Sequence, residues 1–77
     1  MADLEKEKQK LIAKSHLRQI AREKGSRFVI DCVENGALAK KAKAVEKEDI
    51  KNNFLVALDL ESLEEVSVND LLHVLEN

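Results

Sequence analysis

The chain has no proline and only two glycines, Gly25 and Gly36. The backbone is therefore released from Cβ sterics at two points only, and no ring forces a stop anywhere. Residues 3–24 are good helix formers and run without interruption into Gly25, where a helix-ending left-handed residue is expected, which predicts one long helix. Its apolar positions Ile12, Ala13, Leu17 and Ile20 recur at helical spacing with His16 on the same side, so the second half is expected to bury that face and to pack His16 as a hydrogen-bonded core residue. Before Leu11 the pattern fades. Residues 1–10 are expected to project from the body or fray, with Leu4 as the one apolar anchor and local pairs such as Glu7 with Lys10.

The next stretch, GSRFVIDCVENGALAKKA from Gly25 to Ala42, reads in two ways. As a strand, residues 27–33 place Phe28, Ile30 and Cys32 on one face and Val29, Asp31 and Val33 on the other. As a helix, Phe28, Val29, Cys32, Val33, Gly36 and Ala39 gather on one side, Asp31 points away within reach of Arg27 one turn earlier, and Gly36 becomes a point of close approach. The helical reading accounts for more residues and is preferred, with a break at Asn35-Gly36; it strands Ile30 and Leu38. A short connection is expected around Val45–Lys47. Residues 54–60 show the same ambiguity, because Ile50, Phe54, Ala57 and Leu58 form a helical face while Phe54, Val56, Leu58 and Leu60 alternate. The expected fold is thus an all-α bundle of about four helices in one domain spanning 1–77; the alternative is an α+β sandwich with strands at 27–33 and 54–60.

The last helix has the clearest start. Ser67 is a good N-cap with Asp70 three residues on, and Val66 and Leu71 occupy the two positions of a hydrophobic staple. Val68, Leu71, Leu72 and Leu75 are expected on its core face and His73 in solvent. A turn starting at Ser62 is expected just before it.

Size limits what such a bundle can do. At 77 residues, with Phe28 and Phe54 the only aromatics, the core is thin, and self-association as a dimer is one way to add to it. No segment approaches a membrane span or a secretion signal, and the single cysteine, Cys32, fits a reducing compartment, so a cytoplasmic protein with no membrane association is expected.

Charge is distributed unevenly. Residues 1–27 hold eight Lys or Arg against four acids, a balance of +4, while residues 52–77 hold six acids and no base. The two ends either pair with each other or offer a basic surface to an acidic partner. Lys6, Lys10, Lys14, Arg18 and Arg22 stand four apart and form a stripe along the first helix, and Lys10, Lys14, Arg18 and Arg22 are the candidate residues for tracking nucleic-acid phosphates.

Catalytic constellations are lacking in the sequence. No histidine or cysteine spacing suggests a metal site, two isolated glycines do not make a phosphate loop, and Cys32 among apolar neighbours reads as an inert buried thiol. The expectation is a protein without enzymatic activity, cofactor or small-molecule substrate.

The segment LRQIAREKG, Leu17 to Gly25, followed by ALAKKAKAVEKEDIKNNF, Ala37 to Phe54, resembles the helix and turn rhythm of the small helical lid domain of AAA+ ATPases, and its V-x-x-E-D-I resembles the short extended segment that starts a helix in the histone fold. The resemblance implies an all-helical fold. It also implies that Arg27, the arginine after the glycine turn, is the position that contacts nucleotide in such lids.

Two functional readings remain. In the first, the chain is a regulator, inhibitor or adaptor that binds a protein partner or itself through exposed aliphatic positions, with Leu4, Leu11, Ile30 and Leu38 as candidates. In the second, it is a DNA-binding or RNA-binding regulator that docks the basic first helix on phosphates.

Overall fold

Both glycines mark breaks, for different physical reasons. The computed structural model describes residues 2–76, with side chains from Leu4 onward. Helix α1 (Ala2–Lys24) ends where the Gly25 N–H donates to the Ala21 carbonyl at 2.8 Å, and α2 (Ser26–Glu34) starts at the very next residue. This one-residue corner holds Gly25 at φ +95°, a conformation that costs an L-residue strain and glycine almost none.

At Gly36 the backbone is extended, with φ −76°, so any residue could adopt it; what demands glycine is space. A Cβ there would overlap the carboxylate of Asp31. The left-handed residue that stops α2 is instead Asn35, at φ +60°, and the Gly36 N–H closes the end by donating to the Asp31 carbonyl at 2.9 Å. A 3-10 turn, Ala37–Lys41, follows, its Leu38 N–H donating to Asp31 Oδ2 at 3.1 Å.

Helix α3 (Ala44–Leu58) ends the same way as α2, with Asp59 left-handed at φ +56° and the Leu60 N–H donating to the Leu55 carbonyl at 3.0 Å. Helix α4 (Val68–Glu76) opens on Ser67, whose Oγ accepts the Asp70 N–H at 3.2 Å, and Val66 and Leu71 are half-buried and buried as a staple requires. Ser62 Oγ accepts the Glu64 N–H at 3.2 Å, making the short turn expected before it. Among the described residues there is no strand, so 27–33 and 54–60 are both helical or helix-terminal, and the α+β alternative is excluded. The connection expected at Val45–Lys47 lies earlier, because α3 already begins at Ala44. Residues Val45 to Ile50, whose likeness to the histone fold suggested an extended segment, are helical too.

Packing explains where the sequence reading erred. α2 lies against α1, α3, α4 and the 3-10 turn together, so it buries residues around most of its circumference. Val29 and Cys32 are core as expected, but so is Ile30, at 7 % exposure, and Asp31 is drawn in as well. Ile30 is therefore removed from the candidate interface. Leu38 is half-buried, because the bond from its N–H to Asp31 holds the 3-10 turn against α2. On α1 the buried stripe passes through Ala13 and Leu17, with Ile20 and Ala21 half-buried, and leaves Ile12 at 68 % exposure. His16 is likewise exposed, with Nε2 3.1 Å from Asp49 Oδ2 on α3 instead of packed in the core. On α4 the stripe rotates toward Leu71 and Val74, leaving Val68 exposed. Phe54, Leu17, Ile50, Leu71 and Val29 are fully enclosed and form the centre.

The contact at Gly36 makes a sharp stability prediction. Gly36→Ala is expected to cost about 1–3 kcal/mol through overpacking, read as a lower urea midpoint. Because the clash is with one side chain, pairing it with Asp31→Ser should cost less than the sum of the two single changes; strict additivity would refute the contact as its cause.

Candidate interaction surfaces

The basic stripe of α1 is largely used within the molecule. Helices α1 and α3 run antiparallel, since contacts advancing along α1 meet α3 in reverse order. Lys6 Nζ lies 3.4 Å and Lys10 Nζ 3.8 Å from the Asp59 carboxylate, His16 meets Asp49, and Lys24 Nζ lies 2.7 Å from Glu46 Oε2. Lys10 also meets Glu7 at 3.8 Å, the local pair expected from the sequence. Asp59 sits at the negative end of α3, where an acid is unfavourable, and the two lysines offset it. Such exposed pairs contribute well under 1 kcal/mol each, yet together they tie the first turns of α1 to the end of α3.

Arg18 is committed more firmly. Its Nε donates to the Val74 carbonyl at 3.1 Å in a half-buried setting, satisfying one of the last-turn carbonyls of α4 that have no helical partner. Lys14 and Arg18 line a cleft with Asp70 and His73, and Arg22 and Glu76 are both among the residues lining the next. The acidic tail thus folds along the basic stripe. Of the four stripe residues proposed for phosphate contact, Lys10 and Arg18 are engaged, Lys14 is half-buried, and Arg22 is exposed.

Two surfaces stand out among the described residues. The first is the outward face of α1, where Leu4 and Leu11 are 66 % and 64 % exposed and Ile12 stands beside them. Leu4 and Leu11 are the candidates that the structure leaves accessible. The second was missed from sequence. Between Ala37 and Val45 there is no acidic residue, and Lys40, Lys41 and Lys43 are exposed with no ion-pair partner among the described residues. Its signal is the run AKKAKA, which is masked when charge is counted over residues 28–51, where five lysines stand against five acids.

Cys32 is enclosed, and burial, with Glu46 as the next cause, pushes its thiol above the ordinary value of 9.0. Among the described residues no three His, Cys, Asp or Glu side chains gather where an ion could be held, and no helix is long and apolar enough to cross a membrane. Arg27, the position that the lid-domain likeness points to, carries an exposed side chain with Nε 3.5 Å from Asp31 Oδ1. No family model, curated protein or solved structure matches the chain.

Two outcomes follow from these placements. Arg18→Met should cost about 1.5–3 kcal/mol, the range for a hydrogen bond from a charged donor, while Arg22→Met should stay within about 0.5 kcal/mol of wild type, both read by chemical denaturation. The Cys32 thiol should resist a disulfide reagent near neutral pH until denaturant unfolds the chain; prompt native-state labelling would contradict its burial.

Proposed function

We propose that this chain is a non-enzymatic interaction protein that docks a protein partner on the outward face of α1. The observation that carries this reading is the row Leu4, Leu11 and Ile12 on the longest helix, whose opposite face already supplies the core. Leaving three large aliphatic side chains in water forgoes about 1.5 kcal/mol or more for each, which a partner that covers them would recover. Lys8 and Arg22, exposed on the same side and without ion-pair partners among the described residues, favour a partner surface with acidic flanks. A second copy of the chain is the alternative occupant.

Nucleic acid on the basic stripe of α1 has less support, since the same side chains hold α3 and α4. Charge reversal at Arg18 would disturb the fold before it tested binding.

The test uses Leu11→Asp with Ile12→Asp, which lie outside the core and should leave the circular dichroism and unfolding midpoint unchanged. Sedimentation velocity reads self-association, and photo-crosslinking from Ser15 in the native host reads a partner. The expected result is one defined associated species that the double variant loses. A wild type that is monomeric at every concentration and crosslinks the same background as the variant would overturn the proposal.

A further inference from the structure

The chain has thirteen Lys and Arg, and they fall into two groups once the contacts are known. Lys6, Lys10, Lys24 and Arg27 have carboxylate partners, and Arg18 holds a carbonyl. Among the rest, Lys40, Lys41, Lys43, Lys47 and Lys51 fall within a single run of twelve residues, 40–51. The first three are exposed and project from the 3-10 turn and the residue that opens α3.

The nearby acids do not neutralise them. Asp31 is buried beneath the turn, occupied by the Leu38 N–H and by Arg27; Glu46 is held by Lys24, and Asp49 by His16. Glu48 follows Lys47 by one residue and so points about 100° away around the helix. Lys51 shares a cleft with Glu64, which leaves Lys40, Lys41 and Lys43 as the centre of the positive surface, with the half-buried Lys47 at its margin.

The surface has the wrong composition for a protein interface and a suitable one for phosphates. Protein interfaces are depleted in lysine and are built around aromatic or large apolar anchors, whereas the residues exposed beside these lysines are Ala37, Ala44 and a single valine, Val45, at 80 % exposure, with no aromatic side chain among them. All three charges are lysine, a hydrated point charge that meets phosphate without the bidentate geometry arginine uses for carboxylates. Alanine neighbours let a polyanion approach the backbone closely.

We infer that Lys40, Lys41 and Lys43 form a docking surface for the phosphate backbone of a nucleic acid, separate from the α1 face. Contacts of this type position a protein without reading bases, so binding is independent of sequence. With three phosphates neutralised, affinity for duplex DNA should fall about 40-fold between 50 and 200 mM salt.

The test is fluorescence anisotropy of a labelled random-sequence DNA duplex with the full chain at those two salt concentrations. Wild type should bind with that salt dependence. The triple variant Lys40→Gln, Lys41→Gln, Lys43→Gln removes exposed, unpartnered side chains and should fold normally but lose most of the binding and the salt dependence. Lys8→Gln with Arg22→Gln should bind as wild type. No binding at the lower salt, equal loss in the Lys8 and Arg22 variant, or displacement of the duplex by poly-glutamate as readily as by unlabelled DNA would each overturn the inference. None of these outcomes touches Leu11 or Ile12, so the fate of the α1 proposal is read independently.

Discussion

The burial of α2 is the constraint on which the rest of the structure depends. This helix has nine residues, too few to be stable alone in water, and it acquires stability only by being surrounded. Its neighbours pack on it from several sides, so side chains that would be polar on a surface helix must find partners inside. Asp31 does so by holding the turn that follows, and that bond fixes where the chain re-enters at α3. The absence of a Cβ at Gly36 is what allows the carboxylate to sit there. Core volume is small because the chain has few aromatic residues, and Phe54 is the only one fully enclosed.

Helices with one buried face were legible from the sequence, and the one with several was not. The capped start of α4, the end of α1 at Gly25 and the face Ile50, Phe54, Ala57 could all be read from spacing, because each helix meets the core along one stripe. In α2, Ile30 seemed stranded only because the reading assumed such a stripe. On α1 a rotation of the stripe by one position moved Ile12 and His16 outward, a shift that periodicity cannot resolve when Ile12 and Ala13 are adjacent and both apolar. The break at Asn35-Gly36 is legible, but that Asn35 is its left-handed residue, and that Asp59 plays the same part after α3, is not, because glycine is the residue type expected at such a position.

Of the candidate surfaces, the sequence showed the charges but not their partners. The first helix is basic and the tail acidic, and the fold lays one along the other, so the most visible stripe is the least available. Lys40, Lys41 and Lys43, exposed and without ion-pair partners among the described residues, are inconspicuous in the sequence because residues 28–51 hold five bases and five acids. Leu4 and Leu11 were identified correctly as accessible positions, while Ile12, assigned to the core, belongs with them.

The corner at Gly25 has a mechanical consequence. A single residue joins α1 to the central helix, so the direction of α1 is set at one point, beside the Lys24 contact to Glu46 in the first turn of α3. About 14 to 18 residues and, at 1.5 Å per residue, about 20–30 Å away, Lys10 and Lys6 meet Asp59 at the other end of α3. Helix α1 is thus a beam pinned to α3 near both of its ends, and bending it away from the body requires both pins to be released.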